Sequence, residues 1–375
     1  MALGYLSLAD LGVPAEIQAM LANHRFTDGI SIEFVLQNMV AGLNSFNAGN
    51  SGSPGSDALA RLLTTPASAD SKIEYIGGSL RTRDATEYGA EPAQHTDKLS
   101  GVVIPVGREG AIGFSFDAMR STDSQHAITT NRRLLEAFGS DRRKAILRTV
   151  FTQATVRKTA EGARSPGWVG ADDQLYIPPE YEGRTFDTDN HVLATATDTA
   201  AGRRALFASM TARLWEHGLY SSSRAPLILI HGPATLEDVQ ADAKYAPRQQ
   251  ANVQYAPGAQ TNYADLSSDL PMDLFHGVLV DSGAWCVNVG GVPDNYFALV
   301  KSYGERSGMN PIKTWSPADL ANGFALLDVT SPPAGTKSKR NDFTVRYESG
   351  YGVMTPEAGV VGMVGGATYV DPAIG

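Results

Sequence analysis

The sequence predicts an α+β fold, because helical and strand patterns lie in separate blocks along the chain. The N-terminal and central segments carry apolar residues at spacings of three and four, whereas short strand patterns dominate from Phe275 onward. Segregated blocks of this kind favour α+β over a doubly wound parallel sheet. Glycine supplies 38 of the 375 residues, above the usual ~7%, which indicates many turns and β connections.

The overall composition is that of an ordinary globular protein. Hydrophobic residues make up 42% and charged residues 19% of the chain, which excludes wholesale disorder. The net charge of −9 argues against nonspecific DNA binding as the main function. The single cysteine, Cys286, lies in an apolar run and is predicted to be a buried thiol. No apolar run reaches about 18 residues and the N-terminus lacks a secretory pattern, so we expect neither a membrane partner nor secretion.

The first 70 residues are predicted to form an N-terminal arm rather than a domain. Residues 14–23 and 30–43 carry helical spacing, and Pro14 suits the first turn of the first helix. Residues 44–56 have the composition of a flexible linker, and residues 58–63 add a helical turn.

Residues 72–118 are predicted to form a hairpin that is too long for its own globule. Strand-like residues 72–76 lead out, residues 101–116 lead back, and the stretch between them is polar and mixed in charge. At ~3.3 Å per residue the hairpin would reach roughly 70 Å, against a radius of gyration of about 21 Å for a chain of this length. Because an isolated two-stranded ribbon is marginal in water, this indicates a neighbour on which it lies. The alternatives are a hairpin folded back on its own domain and a disordered loop.

The longest helix is predicted over residues 126–155, with Gly139 as a candidate kink. Its basic residues are predicted to form one face: Arg132, Arg133, Arg142, Arg143, Lys144 and Arg148. A solvated helix face is the ordinary explanation for such a charge cluster. The functional alternative is an inward basic surface that meets acidic partners, including packaged nucleic acid.

The remaining elements are predicted as follows. Asp198 caps a helix over residues 199–217, and residues 226–230 form a buried strand. Thr235 opens a short helix and forms a weak capping box with Asp238. Residues 162–191 and 244–270 are predicted loops, and residues 295–303 fit either helix or strand. Further strands are predicted at residues 277–281, 284–289, 324–329 and 343–347.

The motif search predicts no catalytic residue, no cofactor-binding residue and no metal ligand. A serine elbow at residues 113–117 fails at its last position, and residues 350–355 miss a dinucleotide fingerprint. None of the seven histidines pairs with another at metal-ligand spacing, and residues 187–191 are predicted to be an Asp-rich turn. His231, between Ile230 and Gly232 after a buried strand, is weakly similar to the oxyanion corner of hydrolases, so a hydrolase using His231 stays as an alternative.

The order of these segments resembles that of the major capsid proteins of tailed bacteriophages, which have the Hong Kong 97-like fold. Residues 74–116 look like the extended loop of that family, with residues 85–91 near its tip, and residues 126–155 resemble its spine helix. Residues 199–218 and 226–232 look like the start of its axial domain, and residues 277–280 and 293–299 resemble late axial strands. Residues 343–353, followed by 356–361, look like its closing β-hairpin.

The resemblance implies a division of the chain into five parts. These are an N-terminal arm (1–70), an extended loop (71–118), a peripheral domain with the spine helix (119–198), an axial domain (199–310) and a return to the peripheral domain with the C-terminal strands (311–375). Intersubunit contacts are expected on the extended loop, at Arg81, Arg83, Glu87, Tyr88, Glu91, Lys98 and Arg108. No asparagine partner for Lys98 can be identified, so covalent cross-linking is not expected.

The resemblance also implies a function, which is that of a non-enzymatic protein without cofactors. It self-assembles through hexamers and pentamers into the icosahedral head shell that encloses a double-stranded DNA genome. Expected partners are scaffolding and portal proteins, a decoration protein, and packaged DNA by weak nonspecific contact. The expected location is the virion capsid, after assembly in the host cytoplasm. An encapsulin-like nanocompartment of the same fold is the nearest alternative.

Overall fold

The computed structural model describes most of the chain in eleven stretches. They are residues 15–47, 54–70, 72–77, 97–103, 105–115, 121–152, 191–222, 224–247, 275–316, 324–330 and 340–374. The strands in these stretches form one four-stranded sheet, one seven-stranded sheet and one two-stranded ribbon. None of the helices in these stretches is long and apolar enough to cross a bilayer.

Among the described residues, three helices precede the first strand: α1 (Ala15–Asn23), α2 (Ile32–Asn47) and α3 (Pro54–Leu63). Helices α2 and α3 both run into the predicted linker, and only residues 48–53 of that linker lie outside the described stretches. Helix α3 is longer than predicted because Pro54 fits its first position. The apolar stripe of α2 is buried against the rest of the chain, so the described part of this N-terminal region packs on its own subunit.

The predicted long helix is α4 (Ser124–Phe151), which is continuous through Gly139. Asp123 caps it by accepting a hydrogen bond from the backbone N–H of His126 at 3.1 Å. Its 28 residues span about 42 Å. The predicted residues 153–155 lie outside the described stretches.

The four-stranded sheet is built around one long strand, β12 (Arg340–Val353). Along one side β12 pairs with β3 (Pro105–Ser115), and along the other it pairs with β11 (Phe324–Thr330) and then β10 (Ile312–Trp315). All of these pairs are antiparallel.

The seven-stranded sheet has the order β4-β13-β9-β5-β8-β7-β6. Its strands are β4 (Val192–Thr195), β5 (Leu227–His231), β6 (Tyr245–Pro247), β7 (Phe275–Leu279), β8 (Ala284–Asn288), β9 (Tyr296–Lys301) and β13 (Gly359–Val364). Helices α5 (Ala200–Glu216) and α6 (Leu236–Gln240) pack against this sheet. The pairs β4–β13 and β5–β8 are parallel, and the others are antiparallel.

Alternation along the central strands divides the seven-stranded sheet into two apolar faces. In β5, Ile228 and Ile230 join the core that contains α3 and the C-terminal half of α4, whereas Leu227 and Leu229 join the core under α5 and α6. Because successive side chains of a strand point to opposite faces, a fully apolar strand serves both layers. The result is a sheet with helices on each side.

Helix α4 joins the two sheets, because its two halves belong to different cores. Near its start, Ala127 and Phe138 pack with α2 and with Val345 and Tyr347 of β12. Near its end, Phe151 and its apolar neighbours pack beneath the seven-stranded sheet. Helix α4 therefore has the position expected of a spine.

Three local predictions are wrong. Strands β12 and β13 belong to different sheets, so the predicted closing hairpin is not a paired hairpin; the turn between them carries the chain from one sheet to the other. Thr199, not Asp198, caps α5, since the Thr199 hydroxyl accepts from the N–H of Gly202 at 3.2 Å. Thr235 makes no capping hydrogen bond to α6, because its hydroxyl donates to the Gly232 carbonyl.

The ambiguous stretch 295–303 contains strand β9, and the predicted loops at 162–191 and 244–270 lie mostly outside the described residues.

Candidate assembly surfaces

The predicted hairpin begins as an antiparallel ribbon of β1 (Lys72–Gly77) and β2 (Asp97–Val102). Its six residue pairs run from Lys72 opposite Val102 to Gly77 opposite Asp97, a length of about 20 Å. Within the described residues, neither strand pairs with any strand of the two larger sheets. The predicted return strand is split, since residues 105–115 leave the ribbon and join β12.

The base of the ribbon is held firmly to the four-stranded sheet. Residues 64–70 run beside β10, where the N–H of Ser68 donates to the Thr314 carbonyl at 3.1 Å. The indole N–H of Trp315 donates to the Ala69 carbonyl at 2.9 Å. Asp70 accepts from the N–H of Lys72 at 2.9 Å, and this hydrogen bond is the main cause that lowers the pKa of Asp70.

A charged side chain and a small apolar contact complete this base. The Lys313 ammonium contacts the Lys72 carbonyl and lies 3.6 Å from the Asp70 carboxylate. On the returning side, Val103 is fully buried against Trp315 and Met354. The ribbon therefore starts from a fixed point on the subunit.

The predicted contact residues fall in three places. Arg81, Arg83, Glu87, Tyr88 and Glu91 lie in residues 78–96, outside the described stretches. Lys98 is on β2, opposite Ile76. Arg108 is exposed on β3 and lies 3.8 Å from Asp141 of α4, so its ion pair is within the subunit. The role of all seven in subunit contacts stays a prediction.

The six basic residues of α4 do not share one surface. Arg142 is buried, with 6% of its surface exposed, and lies on the side of α4 that packs into the subunit. Arg143 is half-buried against the turn at Gly290 and Gly291. Placing Arg142 on the basic face is therefore wrong, because the helix turns that position toward the core.

The other four basic side chains of α4 are at least partly exposed. Arg132 and Arg133 are exposed on its N-terminal half, and Lys144 is half-buried. Arg148 is exposed but is oriented by a hydrogen bond from its Nε to the Ile374 carbonyl at 2.9 Å. These four residues are called the α4 basic surface below.

A cluster of polar aromatic side chains surrounds His231, the residue of the hydrolase alternative. His231 Nε2 lies 2.7 Å from His276 Nε2, and the Tyr245 hydroxyl lies 2.8 Å from His276 Nδ1. His231 Nδ1 lies 2.9 Å from the Gly232 carbonyl. His231 and His276 are 45 residues apart in the chain, so their pairing left no signal in the sequence.

The His231 environment does not suit hydrolysis. The side chain is fully buried, and burial lowers the pKa of His231 to about 4, so at neutral pH it is an uncharged and very weak base. Both of its ring nitrogens already have partners. The nearest hydroxyl described, that of Thr235, is 3.3 Å from Nδ1 and donates to the Gly232 carbonyl. A general base needs access to a nucleophile and substrate, which this arrangement denies.

Metal and thiol chemistry find little support in the described residues. No group of three or more His, Cys, Asp or Glu side chains there is arranged to hold a metal ion. Cys286 is buried, as predicted, and burial raises the pKa of its thiol.

Comparisons with solved structures identify the fold. The chain matches a structure of Mycobacterium phage Patience with a TM-score of 0.59 and 16% identity, over 95% of this chain and 94% of that one. It also matches the capsid structure of cyanophage P-SCSP1u (TM-score 0.47, 12% identity, 81% and 86% coverage). A third match is the capsid of a native GTA particle (TM-score 0.46, 12% identity, 82% and 89% coverage). At these TM-scores the last two matches add nothing to the assignment.

Sequence comparison gives no relative. No protein-family model matches the chain, and no curated protein matches it. The match to the Mycobacterium phage structure nevertheless spans almost the whole of both chains, so it concerns the complete arrangement of elements. The chain therefore has the α+β, Hong Kong 97-like fold that the sequence predicted.

Proposed function

We propose that this chain is a non-enzymatic major capsid protein that assembles into the icosahedral head shell of a tailed bacteriophage. The observation that carries the proposal is the β1–β2 ribbon, which leaves a firmly held base and pairs with no other strand in the described residues. A lone ribbon of this kind gains stability by lying on another molecule. In a shell, the neighbouring subunit supplies that surface, and many modest contacts add up through multivalency.

The shell function brings a set of partners and a location. The subunit would meet copies of itself in hexamers and pentamers, together with scaffolding, portal and decoration proteins. It would lie in the virion capsid after assembly in the host cytoplasm. The net charge of −9 supports this account, because it keeps free subunits soluble before assembly.

The α4 basic surface is proposed to face the packaged DNA. Helices α4 and α5 lie on opposite faces of the seven-stranded sheet, so they offer a natural inner and outer side. Shells of Arg132→Glu/Arg133→Glu should retain less DNA than shells of the natural sequence, and this difference should shrink as the salt concentration rises because salt screens the phosphate contacts. Arg204→Glu on α5 is the matched control, since Arg204 is also exposed. Equal DNA content in shells of the two variants would contradict the proposed contact between the α4 basic surface and DNA.

The encapsulin-like compartment is less favoured than the virus. The two share a fold, so the structure alone separates them weakly. The α4 basic surface favours a nucleic-acid cargo over an enzyme cargo. Nuclease-protected DNA in purified particles would support the virus, and a co-purified enzyme in its place would support the compartment.

The ribbon provides the direct test of assembly. Replacing residues 77–100 by a short turn should leave the circular-dichroism spectrum and melting of the subunit nearly unchanged, since the base contacts stay in place. Electron microscopy should then show no shells. In a second variant, residues 78–96 are shuffled at constant length. Loss of shells in this variant as well would show that assembly needs the specific side chains of the ribbon and not only its length. Normal shells from the shortened variant would contradict the proposal.

A further inference from the structure

Arg143 of α4 has a guanidinium group without a partner in the described part of the chain. Its Nε atom is buried and makes no hydrogen bond there, and its Nη atoms form no ion pair there. Arg61 and Arg203 also have a buried Nε without a partner, but their Nη atoms form ion pairs with carboxylates. A buried donor without a partner is rare in native proteins, and a bound ion from outside the chain is one of its ordinary explanations.

The described charges near Arg143 do not compensate its positive charge. Lys144 follows it on α4 and is also a cation. Asp141 is on the same helix, but its carboxylate lies 3.8 Å from Arg108. Asp294, on the connection between β8 and β9, forms no ion pair in the described structure. Because burial removes water from a charge at a cost, the half-buried guanidinium would be stabilised by an anion beside it.

The guanidinium lies beside the glycine turn that connects β8 to β9. A Cβ at Gly290 would lie 3.9 Å from Arg143 Nη1, and a Cβ at Gly291 would lie 4.0 Å from Arg143 Nε. Gly291 has a φ of +97°, a conformation that favours glycine. Within the described residues, the N–H groups of Gly290 and Gly291 make no hydrogen bond. Successive backbone N–H groups of this kind occur in many anion sites.

We propose that Arg143, Gly290 and Gly291 form a binding site for a phosphate group. The guanidinium supplies the charge and a planar fork of donors that suits phosphate oxygens, and the turn adds two neutral N–H donors. A phosphate group has enough oxygens to accept from the fork and the turn together, whereas a carboxylate has only two. Leu147, one turn further along α4, is fully buried, and its Cδ1 lies 3.6 Å from the Cβ position of Gly291. Packing of the helix on the turn therefore holds the two parts of the site together.

Two sources carry this chemistry, a free phosphate ion and the backbone of DNA. Lys144 of the α4 basic surface is next to Arg143 in the chain, so DNA bound to that surface would lie close to the site. The DNA source rests on the proposed capsid function, whereas the phosphate site itself does not. The site would give the α4 basic surface one phosphate contact whose position is set by packing.

Titration calorimetry of the full chain with inorganic phosphate, at constant ionic strength, tests the site. The natural sequence should bind about one phosphate per chain with a dissociation constant on the order of 1 mM. Arg143→Gln should weaken binding about tenfold, because it removes a charged hydrogen-bond donor. Arg132→Gln, at an exposed site on the same helix, removes the same charge and should weaken binding less than about twofold. Absence of saturable binding, or equal weakening in the two variants, would overturn the proposal.

A second measurement uses the natural sequence, so it does not depend on the folding of a variant. Phenylglyoxal modifies guanidinium groups, and peptide mass spectrometry follows the modification of Arg143 and of the exposed Arg204 on α5 as reference. Inorganic phosphate at about ten times its dissociation constant should slow the modification of Arg143 about tenfold and leave that of Arg204 unchanged. No protection of Arg143 by inorganic phosphate would overturn the site.

A short DNA duplex in the same assay distinguishes the two sources. If inorganic phosphate and the duplex both protect Arg143, the site is supported with DNA as a source of the phosphate group. If inorganic phosphate protects Arg143 and the duplex does not, the site is supported with the free ion as its ligand. That second result would count against the proposed DNA contact of α4 and not against the phosphate site.

Discussion

Glu357 is predicted to make the stability of the subunit fall as the pH rises, which is unusual for a carboxylate. It lies in the 3₁₀ turn Pro356–Ala358, which connects β12 of one sheet to β13 of the other. Its Oε2 atom is buried and has no hydrogen-bond partner in the described structure. Burial raises the pKa of Glu357 from 4.5 to about 7, and the carboxylate in turn adds to the raised pKa of Tyr303.

The size and sign of the effect follow from linkage. A carboxyl group with a raised pKa in the folded state binds its proton more tightly there than in the unfolded chain. Its contribution is fully present below pH 4.5 and is lost as the pH rises to about 7. Over that interval, at ~1.4 kcal/mol per pH unit, the free energy of unfolding should fall by about 3 kcal/mol.

Glu357→Gln tests this account, because glutamine has the same shape and stays neutral. Urea unfolding of the variant should match the natural sequence at about pH 4.5 and exceed it by about 3 kcal/mol at about pH 8. Glu136→Gln, at an exposed site on α4, should change stability by less than about 0.5 kcal/mol at either pH. An equal effect of Glu357→Gln at both values of pH would refute the reasoning.

Three further predictions concern the cores. Leu147→Ala removes a fully buried side chain between α4 and the seven-stranded sheet and should cost about 3 kcal/mol in urea unfolding, whereas a cost below about 1 would contradict the spine role of α4. Val345→Asp places a charge in the core beneath α2 and α4 and should give insoluble protein. A soluble variant that assembles into shells would contradict the assignment of Val345 to this core. Cys286 should resist maleimide in the folded protein and react in urea, because burial holds it as a thiol; rapid labelling of the native protein would disprove this.

The elements that the sequence predicts well carry their own signal. Helix α4 has apolar residues at helical spacing in both of its halves, and β5 is a run of residues that are all buried. In contrast, β4 consists of four half-buried residues and β10 has three half-buried residues after the buried Ile312, so the formation of these strands depends on their partners β13 and β12. Local periodicity contains no information about such partners.

Long-range arrangement explains the other differences. Arg142 follows the spacing of the basic residues, but α4 passes between two cores there, and the buried side includes that position. Strands β12 and β13 are adjacent in sequence and yet belong to different sheets. The contacts among His231, His276 and Tyr245 join residues from three strands that are far apart in the chain, so the sequence contains no signal for them.

The central claim is that the chain forms a closed shell, and electron microscopy of the purified protein tests it most directly. The chain should be expressed alone and together with its neighbouring genes, and each sample examined by negative stain. The account predicts uniform hollow shells in at least one sample. A strictly monomeric 39.9 kDa particle in both samples would contradict it.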